Sequence, residues 1–338
     1  MTSPRARNVA FAVVVLLAVG VAVGYLLMAA RAQPDAAAQP SPRTSPPAAS
    51  GNTDGYIAFR RTNIDAAYGT VGTVPVDDPD AAPAPTALSC ERIHMARDGG
   101  VCLQVDRAAV TTARVLLLWP DMTVRHSLET PGIPSRARVS PDARWAATTT
   151  FVFGHSYTSS DFSTQTEIYD MESGSSLGNL EEFDISYKGQ PYEAVDVNVW
   201  GVTFAQDGSS FFATVMTGGK KHLAEGDISG RTLVMLDVSA ECPSLSPSGK
   251  LLAFKSATGP TTWQVRVRTL ADGSEVVVDE SRSVDDQIEW LDDENVVFGL
   301  PRPEGGAVSD VWVAPADGSG PAELLVSAAW SPAVVRPG

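Results

Sequence analysis

The chain has 338 residues and a formal net charge of −15, and this length suits one large domain or two ordinary ones. The first 53 residues hold four arginines and one acid, so the remainder, with 21 basic and 39 acidic residues, is strongly acidic. Such a surface repels nucleic acids and anionic lipids, which argues against a nucleic-acid-binding protein.

The N-terminal segment contains an uncharged apolar run of 22 residues, Val9 to Ala30 (residues 9–30). As a helix it would be about 33 Å long, enough to cross the hydrocarbon core of a bilayer. Arg5 and Arg7 precede the run, so residues 1–8 are expected in the cytoplasm and the rest of the chain outside. We interpret the run as a transmembrane signal anchor; the alternative is a signal peptide cleaved after Ala32, which ends a small-x-small pattern.

A linker follows the apolar run, from Arg31 to Thr53. It contains five prolines and almost no apolar side chain larger than alanine, so it cannot form a core. We predict a disordered, extended tether of up to about 70 Å between the anchor and a domain at residues 54–338.

The three cysteines all lie in this exported part of the chain. Cys90 and Cys102 flank an apparent hairpin, and outside the cytoplasm we expect them to form a disulfide, worth about 3 kcal/mol through loop-closure entropy. Cys242 is then unpaired. It is predicted to be a small buried thiol, and a reactive or metal-binding thiolate is the alternative.

A repeat dominates residues 54–338: an apolar residue, a Ser-Pro-Asp-Gly turn or a relative of it, and then an aromatic and β-branched run. The turn residues are separated by 44, 65, 41 and 45 positions; they are Asp98, Asp142, Asp207, Ser248 and Asp293. Each turn is followed by a second hairpin, so each repeat predicts a four-stranded antiparallel blade. A period of 40–47 residues made of strands indicates a β-propeller.

The interval of 65 residues is longer than the others because of insertions between Thr150 and Ala194. We predict loops here, which is where propellers often carry recognition residues. Tyr157, Phe162 and Tyr187 are the candidate partner anchors; the alternative is that they pack on their own blade.

The two ends of the domain complete each other. Five repeats are whole, while the chain ends on the first half of a repeat and residues 54–61 resemble the second half. Sharing a blade between the termini would close the ring and remove its free edges. We therefore predict six blades, with the C-terminal strand innermost in the closing blade. The candidate closure residues are Asp54, Tyr56, Phe59, Trp330 and Pro332, with Trp330-Ser331-Pro332 supplying the missing turn.

These residues resemble the TolB-like, WD40-like β-propeller repeat family. The best matches to its repeat are Val139 to Trp145, Leu245 to Phe254, and Trp330 to Pro332 taken with Asp54 to Phe59. The resemblance implies an all-β, six-bladed propeller, and among its members are periplasmic proteins that bind envelope proteins and propellers joined to peptidases. The chain lacks the small α/β domain of TolB and a hydrolase domain, and its anchor and tether resemble those of exported actinobacterial proteins.

The sequence contains no catalytic, cofactor-binding or metal-binding motif that we can identify. The four histidines fall on different repeats without zinc-site spacing. The carboxylate clusters at Glu181-Glu182, Asp285-Asp286 with Glu289, and Asp292 to Glu294 are interpreted as solvated turn and rim residues. Calcium at the acidic rim is an alternative, although no calcium-binding repeat is present.

The functional expectation is a non-enzymatic, membrane-tethered propeller that binds a protein or peptide of the cell envelope. Two alternatives stay open. One is a hydrolase or lyase acting on sugars with carboxylates assembled at the central channel, and the other is metal or small-ligand binding there.

Overall fold

The computed structural model describes residues 18, 20, 55–107, 111–152, 163–303 and 306–336. From Gly55 onward these residues form β-strands arranged in six sheets, with a single short 3-10 helix among the described residues. Each sheet is one blade, so the domain is the predicted all-β, six-bladed propeller.

The strands are numbered in chain order, and each blade is given from the central channel outward. Blade 1 consists of β26 (Ala329–Val335), β1 (Tyr56–Arg61), β2 (Thr70–Pro75) and β3 (Ala84–Ser89). Blade 2 consists of β4 (Arg92–Ala96), β5 (Gly99–Arg107), β6 (Thr111–Leu118) and β7 (Val124–Thr130). Blade 3 consists of β8 (Ile133–Val139), β9 (Trp145–Val152), β10 (Ser163–Asp170) and β11 (Ser176–Asn179).

The second half of the ring follows the same plan, with one enlarged blade. Blade 4 consists of β14 (Asn198–Phe204), β15 (Ser210–Thr217), β16 (Lys220–Asp227) and β17 (Thr232–Met235), extended by β12 (Asp184–Tyr187) and β13 (Gln190–Pro191). Blade 5 consists of β18 (Glu241–Leu245), β19 (Leu251–Gly259), β20 (Thr262–Thr269) and β21 (Glu275–Val277). Blade 6 consists of β22 (Glu289–Trp290), β23 (Asn295–Pro301), β24 (Ser309–Pro315) and β25 (Glu323–Val326).

The hydrophobic core of the described domain is divided among the interfaces between neighbouring blades. Blades 6 and 1, for example, pack Phe59 and Ile57 against Val297 and Val311, and blades 3 and 4 pack Trp145 against Phe211. Each blade buries both of its faces in this way, so its strands read as nearly continuous apolar runs.

The six innermost strands run in the same direction through the ring, which gives the propeller two distinct ends. We call the end where these strands begin the upper face, with Arg92, Arg136 and Glu241 close to it. The end where they finish is the lower face, and it carries the turns of the repeat. Ser140 shows why the repeat needs its serine: the Oγ atom accepts from the Trp145 N–H at 2.9 Å and donates to Asp142 at 2.6 Å.

The closing blade confirms that the two ends of the domain share a sheet, but one detail of the prediction is wrong. Tyr56 pairs with Val335 and Arg60 with Trp330, so β26 is innermost and antiparallel to β1. Ser331 and Pro332 therefore lie within β26 at its upper end and form no turn. Ser331 has a positive φ of 54°, and its N–H bonds to Asp286 of blade 6 at 3.1 Å instead of to β1.

Asp54, also proposed for closure, lies outside the described residues. Tyr56 and Phe59 do lie in the closing blade, where Phe59 is fully buried against blade 6. Both residues contribute to blade closure by packing β1 against the adjacent blades.

The second insertion is also more regular than predicted. Residues 184–191 form β12 and β13, and β12 pairs in parallel with the outer strand β17 of blade 4. The prediction of a loop here is wrong because β17 offers a free edge, and the insertion covers that edge with backbone hydrogen bonds.

The predicted anchor at residues 9–30 and the linker at 31–53 lie outside the described residues, apart from Ala18 and Gly20. Within the described part of the chain, no helix is long and apolar enough to cross a bilayer.

Candidate functional site

The central channel is crossed by charged side chains, and they form the candidate site. Strands β4 and β8 each place two polar side chains two positions apart, and alternation along a strand directs both towards the channel. These residues are Arg92, His94, Arg136 and Arg138. Their partners come from residues 285–289, which lead into β22 of blade 6. We call this set the cross-channel network.

The upper layer of the network joins blades 2, 3 and 5 to blade 6. Arg92 Nη1 lies 2.7 Å from Asp286 Oδ1, and Asp286 is fully buried. Asp285 Oδ1 accepts from both Lys255 Nζ at 2.6 Å and Arg136 Nη2 at 3.3 Å. Burial would raise the pKa of Asp285, but Lys255 and Arg136 outweigh it and lower that pKa.

The lower layer centres on Glu289, which is buried. Arg138 Nη1 and His94 Nε2 both contact Glu289 Oε2, the histidine at 3.0 Å. The Nδ1 atom of His94 accepts the Val139 N–H at 3.1 Å, so the Nε2 atom carries the proton donated to Glu289. Arg138 Nη2 also donates to the Ile288 carbonyl at 2.8 Å.

The electrostatics of this layer keep glutamate ionised and histidine neutral. Burial would raise the pKa of Glu289, but Arg138 and the His94 hydrogen bond lower it to about 2. Burial, reinforced by the neighbouring Arg138, lowers the pKa of His94. A carboxylate held in this state does not donate a proton at neutral pH, as the general acid of a glycosidase must.

The cross-channel network corrects the interpretation of one acidic cluster. Asp286 and Glu289 were predicted to be solvated rim residues, but both are buried and paired with arginines. The signal was present in the sequence: charges at alternate positions of an innermost strand, as in Arg92-x-His94 and Arg136-x-Arg138, face the channel. Their partners could not be identified because they lie more than 100 residues away along the chain.

The other acidic clusters behave differently. Asp292 is exposed and accepts the N–H groups of Glu294 and Asn295 at 2.8 and 2.7 Å, as expected of a turn residue. Glu181 is half-buried, and burial raises its pKa to about 7. Its carboxylate accepts hydrogen bonds from the Val199 N–H at 3.4 Å and the Asn179 amide at 3.3 Å.

A cavity of about 180 Å³ opens at the lower end of the channel. Apolar and polar side chains share its wall about equally, and the lower layer of the cross-channel network forms one side. The lining includes Met95, Val139, Phe204, Leu245, Val335, His94, Arg138 and Glu289.

The cysteines lie where the sequence predicted them. Cys90 and Cys102 form a disulfide, which ties the connection before β4 to the neighbouring strand β5. Cys242 is unpaired and buried. It lies beside Arg136; burial would lower the pKa of Arg136, but the Cys242 sulfur and Asp285 outweigh burial and raise that pKa.

The structure describes one of the three candidate recognition residues. Tyr157 and Phe162 lie outside the described residues. Tyr187 ends β12 at the outer rim of the upper face, half-buried, with its ring edge-on to His222 at 5.3 Å. Its hydroxyl donates to Asp237. The ring thus packs on its own blade, and a role in recognition stays a prediction.

No group of three or more His, Cys, Asp or Glu side chains is arranged to hold a metal ion in the portion of the chain that the structure describes. Calcium binding stays a hypothesis without a placed site.

Comparison with known proteins supports the fold. No family model matches the sequence, and no curated protein does either. Among solved structures, TolB from Acinetobacter baumannii superposes with a TM-score of 0.58 at 14% identity, over 83% of this chain and 66% of that one. The chain thus spans just under two thirds of the length of that TolB.

Two further structures show the same architecture. One belongs to a nidogen/laminin complex, with a TM-score of 0.53, 8% identity and coverage of 83% of this chain and 98% of that one. The other is a puromycin-hydrolysing peptidase of Mycobacterium tuberculosis, with a TM-score of 0.50, 11% identity and coverage of 81% and 45%. At these identities the likeness concerns the fold alone.

Proposed function

We propose that this protein is a non-enzymatic binding module, tethered to the outside of the cell membrane by residues 9–30, which recognises a protein or peptide of the envelope through its upper face. A propeller offers two ends for binding, and the two ends of this one differ in composition. The observation that carries the proposal is the distribution of exposed apolar side chains.

Four large apolar side chains are exposed around the upper face. Ile64 and Tyr68 lie between β1 and β2, Ile133 begins β8, and Val195 precedes β14; they are 80%, 41%, 55% and 99% exposed. The remaining exposed large apolar residues of the described chain lie on outer strands, and none lies in a turn of the lower face. Exposed apolar groups clustered on one face favour a protein-binding surface.

The solved structures with a similar fold include binding proteins and an enzyme, so they are consistent with a binding function but do not distinguish it from an enzymatic one. They include TolB, a peptidase, and a propeller from a nidogen/laminin complex. Glu289, paired with Arg138 and with its pKa lowered to about 2, gives a sugar hydrolase no general acid in the lower layer of the channel, so we do not extend that alternative.

A cross-linking experiment in cells tests the proposal. A photo-cross-linking amino acid replaces Val195 at the upper face or, as the matched control, the exposed Asp98 at the lower face of the full chain. We expect a discrete protein adduct from position 195 and none from position 98. Equal adducts from both positions, or adducts from position 98 alone, would overturn the assignment of the upper face.

A further inference from the structure

The upper end of the channel holds more positive than negative charge. Arg92, Arg136 and Lys255 meet two carboxylates, those of Asp285 and Asp286. The adjacent pair of Lys221 and Glu241, 2.6 Å apart, leaves this balance unchanged. One positive charge is therefore left over in a protein whose net charge is −15, and a buried excess charge attracts a counter-ion.

The burial of the partners is unequal. Lys255 is 3% exposed and its ammonium lies 4.5 Å from the centre of the Trp263 ring. The carboxylate that serves both Lys255 and Arg136 belongs to Asp285, which is 59% exposed. The buried Lys255 and the largely buried Arg136 thus share a single carboxylate that faces solvent at the upper face, where another carboxylate can replace it.

Unpartnered donors point to the same place. Gln287 is 3% exposed and its Oε1 atom accepts the Ala137 N–H at 3.2 Å across the channel, but its Nε2 atom has no hydrogen-bond partner. The buried Nε atom of Arg136, in the upper layer, is also without one. Each of these groups is a donor, so an acceptor-rich anion fits them.

We infer that the upper end of the channel is a carboxylate-binding subsite for an acidic segment of a peptide. The carboxylate of the ligand replaces Asp285 as the partner of Lys255 and Arg136. The inference rests on the proposed function and names the chemistry of the recognised group. A peptide is favoured over a small anion because exposed Ile133 lies on the same strand as Arg136. In addition, the chain's own Asp285-Asp286 segment forms ion pairs with the cations at this end of the channel, as an acidic peptide would.

The test uses a fluorescein-labelled peptide with the chain's own sequence Ser-Val-Asp-Asp-Gln, capped at both ends, and a second peptide in which both Asp are Asn. Binding to the full chain is measured by fluorescence anisotropy. Asp285→Asn removes the internal competitor at an exposed position, and we expect the acidic peptide to bind about tenfold more tightly. Lys255→Met removes a cation, and we expect binding to be about tenfold weaker.

Matched controls carry the same charge changes at the lower face. Asp98→Asn and Lys250→Met alter exposed side chains and are expected to bind as the wild type does. Equal affinity of the wild type and Asp285→Asn, or equal binding of the two peptides, would overturn the inference. Binding of inorganic phosphate without binding of the acidic peptide would also overturn it. If Lys255→Met fails to fold, Asp285→Asn decides the question alone.

The two proposals can fail separately. A Val195 adduct that forms equally in the wild type and Lys255→Met, with no gain in peptide affinity for Asp285→Asn, would leave the binding function intact and remove the carboxylate subsite. Tight peptide binding by Asp285→Asn without any Val195 adduct would do the reverse.

Discussion

The turns of the lower face and the central channel use their acidic residues in opposite ways. At the lower face, Asp207 accepts the N–H groups of Ser209 and Ser210 at 2.9 and 2.8 Å, within three residues of itself. Inside the channel, Asp286 and Glu289 reach across to Arg92 and Arg138, which lie in other blades. Asp207 shapes its own turn, whereas the channel acids connect parts of the ring that are distant in sequence.

This difference has consequences for stability and for function. A solvated turn carboxylate is worth about 1 kcal/mol and its loss is local. A buried carboxylate with a buried arginine is costly to leave unpaired, since the remaining charge has no water. Substitutions of the buried channel acids should therefore affect the whole ring, and those of exposed turn acids such as Asp207 should not.

The largest effect is expected from deleting β26, the strand that closes the ring. Deletion of residues 329–338 takes away β26, whose Ala329, Ala333, Val334 and Val335 are buried, and exposes β1 as an edge. We expect a loss of at least about 5 kcal/mol of unfolding free energy, comparable with the total stability of many domains. Urea denaturation of the full and shortened chains measures it; an unchanged midpoint would mean that β26 does not close the ring.

Breaking the lower layer of the cross-channel network should come next. Glu289→Ala leaves Arg138 buried without its carboxylate, and we expect a loss of about 3–5 kcal/mol. Glu289→Gln keeps an acceptor for His94 and should lose less. Thermal denaturation of both variants checks this order, and equal stability of Glu289→Ala and the wild type would show that the layer does not hold the blades together.

Acid should weaken the lower layer of the cross-channel network. The pKa of Glu289 is about 2 in the folded protein, below its unfolded value, so its contribution is present above about pH 4.5 and is lost as pH falls towards 2. His94 has a lowered pKa, so the unfolded chain binds its proton first and stability also falls below about pH 6.5. Together they predict a loss of at least about 3 kcal/mol between pH 7 and pH 2. Denaturant titrations across this range measure it, and Glu289→Gln should flatten the acidic limb.

The smallest effect is expected at a turn of the lower face. Asp207→Ala removes two backbone hydrogen bonds at an exposed position and should lose about 1 kcal/mol. Its effect should be additive with that of Glu289→Ala, because the two sites share no partner. A double-mutant cycle by urea denaturation provides the measurement; strong coupling would contradict the independence of the Asp207 turn from the cross-channel network.

The parts of this structure that the sequence determined are those encoded within a few residues. A turn such as Ser140 to Trp145 closes through its own serine and aspartate, and the apolar run after it packs on the neighbouring blade. Repetition of that local unit predicts blades and their number, and proximity along one hairpin predicts the Cys90–Cys102 disulfide.

The cross-channel network was decided by the tertiary structure alone. Arg92 and Asp286 are 194 residues apart, and only closure of the ring places the lead-in of blade 6 opposite blades 2 and 3. The same holds for β12, whose pairing depends on the edge that β17 leaves open. Local chemistry specifies turns and strands, but the partner of a buried charge is set by which elements the ring brings together.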